Sequence, residues 1–172
     1  MNRKKAIFGT LVVLIVVLVM IIIWGFNKMN YVTEQVVTDI RQDFIQLEDR
    51  ISSQREDQWS EPGLVTTKVE ELMNGIGLAW NIGSSLNTFS QSEEEFFYHL
   101  NGSLQQFDYR TESEPLGVYS DLSSEDQKNY EELGEILREV GFEKSNLGEN
   151  ATKDTVMRQL EELVEQLNNR TE

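Results

Sequence analysis

"MNYVTEQVVTDIRQDFIQLEDRI", Met29–Ile51, is the stretch on which the fold turns. Its apolar positions are Met29, Val32, Val36, Ile40, Phe44, Leu47 and Ile51, at steps of 3, 4, 4, 4, 3 and 4. Over 22 residues that is about 3.67 per turn, a rhythm that keeps one apolar stripe on one face of a nearly straight helix. The other faces carry Glu34, Asp39, Arg41, Asp43, Glu48, Asp49 and Arg50, and neither Gly nor Pro interrupts Asn27 to Trp59. The stripe is a candidate interaction surface. It must be covered, either by later helices of the same chain or by a second copy.

Followed toward the amino terminus, the pattern loses its polar faces. Ala6 to Phe26 is 21 residues without a charge, and at about 1.5 Å per residue it spans about 30 Å, the thickness of a bilayer's hydrocarbon core. Its centre holds Leu11, Val12, Val13, Leu14, Ile15, Val16 and Val17, then Leu18, Val19, Met20, Ile21, Ile22, Ile23 and Trp24, with no polar residue among them. A signal peptide has a shorter apolar region followed by small residues at a cleavage site. This run ends instead in Trp24-Gly25-Phe26-Asn27-Lys28. The expectation is an uncleaved signal anchor in contact with membrane lipid. Arg3, Lys4 and Lys5 precede it and only Lys28 follows closely, so the amino terminus is expected on the cytoplasmic side and the bulk outside. One helix is expected from Ala6 to Gln58, about 80 Å long.

Composition narrows the exported part. All 30 acidic residues follow Phe26, whereas three of the 15 basic residues precede it. The 146 residues after Phe26 therefore carry 12 basic residues and a formal charge of −18. Such a surface repels phosphate polymers, so nucleic acid is not an expected partner. The chain has no cysteine, which excludes disulfides and thiolate chemistry. Its two prolines, with abundant Glu, Leu and Gln, favour helix throughout.

Followed the other way, "WSEPGL" at Trp59–Leu64 breaks the first helix through Pro62 and Gly63. Val65, Val69, Leu72, Ile76 and Trp80 then recur at helical spacing, with Gly75, Ala79 and Gly83 every fourth residue as candidate helix-packing positions. The β-branched start "LVTTKV" is also compatible with a strand. "SEEE" at Ser92–Glu95 and "SEDQ" at Ser124–Gln127 read as capping boxes opening two further helices. The apolar faces that follow are Phe96, Phe97, Leu100, Leu104 and Phe107, and then Tyr130, Leu133, Ile136, Leu137 and Val140, closed by Gly141. Asp108 to Ser123 reads as a loop. A last helix begins near Lys153, with Val156, Leu160, Leu163 and Leu167 as its stripe.

The predicted class is all-α: a single amino-terminal transmembrane helix continuing into a long amphipathic helix, then a small bundle of about four helices. Its parts are a basic cytoplasmic flank (1–5), the anchor (6–26), a rod-like extracytoplasmic helix (27–58) and an acidic helical head (59–172).

Site chemistry is sparse. His99 is the only histidine, and without a second His or any Cys it reads as a structural or surface residue rather than a zinc ligand. No G-x-S-x-G elbow is present. "GIGLAWNIG" at Gly75–Gly83 lacks phosphate-loop spacing, because Trp80 stands in the third glycine's place. No catalytic, cofactor or metal residue is predicted. The chain is expected to be a non-catalytic interaction or scaffold component of a cell envelope, bacterial by its compact basic flank and cysteine-free exported part. It would engage another envelope protein or itself. The alternative is an extracytoplasmic ligand-binding or sensory accessory module, with Gly75, Trp80 and Gly83 around a pocket.

Overall fold

A computed structural model describes residues 3–109, 122–146 and 151–169, the side chains of residues 3–13, 26, 27, 29 and 30 excepted. Among these residues there are five α-helices: α1 Arg3–Glu56, α2 Gly63–Ser85, α3 Gln91–Leu104, α4 Ser124–Glu139 and α5 Lys153–Asn169. Two short 3-10 turns, Gln105–Phe107 and Lys144–Asn146, follow α3 and α4. No strand occurs among the described residues. The stretch that reads as either strand or helix, residues 64–70, is helical. Val65, Thr66, Lys68, Val69 and Leu72 are buried together, and burial on one helical face outweighs β-branched preference.

The helices run up, down, up, down, up. Trp59, just past the top of α1, donates its indole N–H to Glu131 midway along α4, while Arg138 near the end of α4 meets Glu48 lower on α1. Thr33 low on α1 donates to Thr88 just past α2, at 2.6 Å, which makes α2 antiparallel to α1. Lys153 at the start of α5 pairs with Glu93 at the start of α3, so these two run parallel. Around the bundle the neighbours are α1, α2, α3, α5 and α4, with α1 also touching α5.

Aromatic side chains mark the levels of the core. At the base, Phe89 stacks on Phe97 with centroids 4.9 Å apart. In the middle, Phe44 stacks on Phe142 at 5.1 Å. At the top, Tyr130 lies between Trp59, Phe107 and Tyr109, and its hydroxyl donates to the Phe107 carbonyl at 2.8 Å. Stacked and edge-on pairs of this kind add to the burial that drives folding.

Glu48, a buried carboxylate on α1, finds its charged partner on α4, as buried charges must. Glu48 accepts from Arg138 Nε at 2.6 Å and from Ser52 at 2.7 Å, and Arg138 also donates to Ser52. Lys68 on α2 buries its stem and places its ammonium 2.7 Å from Asp43. The buried Gln54 amide oxygen accepts from Glu61 N–H and ties down the turn after α1.

That turn is made by Gln58 and Trp59, both with left-handed backbone, φ 53° and 57°. The reversal brings Trp59 N–H onto the Gln54 carbonyl at 2.7 Å and swings the indole into the core. Left-handed non-glycine residues cost about 1 kcal/mol each. Gln58 is exposed and Trp59 is not. Gln58→Gly is therefore expected to raise stability by up to about 1 kcal/mol, read as a higher urea midpoint at unchanged slope.

Both capping boxes lie earlier than the sequence suggests. Ser90 and Glu93 cap α3 in place of Ser92 and Glu95, and Ser123 and Asp126 cap α4 in place of Ser124 and Gln127. Tertiary seating chooses between adjacent serines. Phe89, seated in the core immediately before Ser90, fixes where α3 begins, and buried Tyr130 sets the phase of α4. The α4 end follows its sequence: Gly141 has φ 90° and Phe142 N–H returns to the Leu137 carbonyl.

Close approach falls elsewhere than the Gly75, Ala79, Gly83 series suggests. Ala79 is fully buried, and a Cβ on Gly75 would make only ordinary contact with Asp43 at 3.6 Å. Gly83 makes room for the Phe89 ring rather than for a helix. The tight helix crossing is at Gly134 on α4, where a Cβ would lie 2.9 Å from Cγ2 of Ile51 on α1.

Candidate interaction surfaces

The stripe on α1 is covered by its own chain. Ile40, Phe44, Leu47 and Ile51 are buried in the core, joined by Val37 and Ile45, with Val36 packed at its edge. Val32 is half-buried, and the Met29 side chain lies outside the described residues. The segment expected to stand as a rod thus supplies one wall of the head. Thr33, which bonds Thr88 in the bundle, lies seven residues beyond Phe26, or about 10 Å along the helix axis.

Below the bundle α1 continues without a break, and no other described residue covers Leu14 to Trp24. Leu14 to Trp24 are all exposed, from 47% at Val16 to 66% at Trp24. The side chains of Leu11, Val12 and Val13, and of Arg3, Lys4 and Lys5, lie outside the described residues. Among the described residues no helix is long and apolar enough to cross a membrane.

A second surface lies between α2 and α3. Trp80 from α2 meets Tyr98 from α3 with ring centroids 6.5 Å apart at 57°, and Tyr98 meets His99 edge-on at 5.8 Å. Gln91, Glu94 and Glu95 complete a groove of about 390 Å³. Trp80 is 38% exposed and Tyr98 66%. Among the described residues neither Glu94 nor Glu95 forms an ion pair, and Glu95 accepts only a hydrogen bond from Gln91 at 3.0 Å. Gly75 and Gly83 do not line this groove with Trp80. Sequence reading passes over it because "SEEE" looks like a helix start. In the structure only Glu93 caps, which frees Glu94 and Glu95 to stand one turn below Tyr98 and His99. That four-residue spacing was available as a signal; the arrival of Trp80 from another helix was not.

The base of the bundle holds a charge clasp. Glu93 accepts from Lys153 at 2.6 Å and from the Ser90 N–H at 2.7 Å, and the Lys153 ammonium also lies over the Phe89 ring. Burial acts to raise the Glu93 carboxyl, but Lys153 and both Ser90 donors outweigh it and hold the group below its ordinary range. A depressed carboxyl contributes stability above its unfolded-state pKa of about 4.3 and loses it as pH falls through the lower folded value. Glu93→Gln is expected to cost about 1–2 kcal/mol at pH 6 and much less at pH 3. Urea titrations of both proteins at those two pH values check it. An equal difference at both would show that the carboxylate charge contributes nothing.

Among the described residues no group of three or more His, Asp or Glu side chains is placed to hold a metal ion. His99 stands on the outer face of α3 beside Tyr98. Comparison with protein families, with curated proteins and with solved structures gave no match for this chain.

Proposed function

We propose that the protein is a single-pass membrane protein whose five-helix bundle stands outside the cytoplasm as a non-catalytic interaction or scaffold component of the cell envelope. The observation that carries this is the continuity of α1. One helix of 54 residues provides a wall of the core at one end and an uncovered apolar surface at the other. Eleven consecutive large apolar residues, Leu14 to Trp24, face outward, far beyond the apolar patch that a soluble surface tolerates. The run extends upstream in sequence to Ala6, giving the 21 uncharged residues a bilayer requires. Arg3, Lys4 and Lys5 orient it with the amino terminus inside.

The partners proposed are membrane lipid for the anchor and another envelope protein for the head. Self-association through the α1 stripe would require opening the core, so contacts between copies would use other faces. With Thr33 already bonded to the bundle seven residues beyond Phe26, the head is held close to the bilayer rather than at a distance.

Because the chain lacks cysteine, single cysteines report topology directly. A cysteine replacing exposed Glu161 should react with a membrane-impermeant maleimide on intact cells. One replacing Lys4 should react only after lysis. Labelling of the Glu161 position only after lysis, or a mature chain beginning beyond Phe26, would overturn the reading.

A further inference from the structure

We propose that the α2–α3 groove docks an arginine-bearing segment of a partner protein. This deepens the interaction reading above and rests on it. Trp80 and Tyr98 present part of their aromatic surface to solvent among the described residues. Glu94 and Glu95 stand in the same groove, beside His99, and form no ion pair among the described residues. The surrounding surface belongs to a segment of formal charge −18, so the field draws cationic partners and rejects anionic ones. A guanidinium suits this combination. It stacks flat on an aromatic face while its N–H fork meets a carboxylate, and it sheds water more readily than an ammonium. The groove is open and shallow, which fits a side chain entering from an extended segment better than an enclosed small molecule.

The test uses the full chain in non-ionic detergent micelles. The probe is a fluorescein-labelled heptapeptide holding three arginines among glycines and serines, followed by anisotropy. Trp80→Ala and Tyr98→Ala should each weaken binding by about three- to tenfold, with melting curves matching the parent. The Glu94→Gln/Glu95→Gln pair should weaken it as much. The Glu161→Gln/Glu165→Gln pair removes the same charge from exposed positions on α5 and should leave affinity within about twofold. Replacing arginine by citrulline in the peptide should abolish binding.

Equal losses in the two glutamate pairs would assign binding to the general field and overturn the site. So would undiminished binding of the citrulline peptide. Displacement of the peptide by micromolar tetramethylammonium would make a small cation the occupant and overturn the protein-docking assignment. Maleimide labelling is independent of all these outcomes. A failed groove with the expected labelling removes only the docking site, and failed labelling removes the envelope reading itself.

Discussion

The double substitution Val16→Arg/Val19→Arg is expected to release the protein from membranes. Each arginine near the centre of a span costs about 2.5–3.5 kcal/mol. Together they oppose insertion by about 5–7 kcal/mol, at least a thousandfold shift toward the aqueous phase. Both positions are about half exposed and lie well below Thr33, which bonds Thr88 in the bundle, so the head should fold as before. The measurement is flotation after an alkaline carbonate wash, with circular dichroism melts confirming an unchanged bundle. If the double variant floats with the membrane as the parent does, the apolar stretch is not seated in lipid. A loss of helical melting would instead show that the stretch packs on the head.

Gly83→Ala is expected to destabilise the bundle by about 2–4 kcal/mol, lowering the melting temperature by roughly 10 °C. In isolation the change favours helix by up to about 1 kcal/mol. Here the new methyl group falls against Cγ, Cδ2 and Cε2 of Phe89. The ring has little freedom to slide, because it stacks on Phe97 at 4.9 Å and carries the Lys153 ammonium 5.3 Å from its centroid. Displacing Phe89 also disturbs Ser90, the residue that caps α3. Gly77→Ala is the internal control. Nothing lies within 4 Å of its Cβ position, so it should be neutral or mildly stabilising. If Gly83→Ala melts like Gly77→Ala, the Phe89 ring is not held against α2. A double variant adding Phe89→Ala should show marked non-additivity, since both changes act on one contact.

Much of the secondary structure was legible because helices obey local rules. The period of Met29–Ile51, the breaker at Pro62-Gly63 and the Gly141-Phe142 terminus each depend on residues within a few positions of one another. Where two local solutions were nearly equal, the sequence chose wrongly. Ser90 and Ser92, or Ser123 and Ser124, are equivalent caps until Phe89 and Tyr130 are seated in the core. The glycines divide in the same way. Spacing marks Gly75, Ala79 and Gly83 as alike, yet the first meets a carboxylate, the second is core and the third accommodates a ring. Gly134, where an added Cβ would crowd Ile51 of α1, carries no sequence mark.

By itself the sequence determined that the chain is helical, where α1 turns from apolar on all sides to one-sided, and that the part beyond Phe26 is strongly acidic. Those properties follow from periodicity and charge, which are sums over neighbours along the chain. Only the tertiary structure decided that the α1 stripe is covered by α2, α4 and α5 rather than by a second copy. It alone brought Trp80 beside Tyr98 and left Glu94 and Glu95 without an ion pair among the described residues. Those outcomes depend on which faces meet across tens of residues, and burial, the force that selects them, acts on surfaces regardless of their order in the chain.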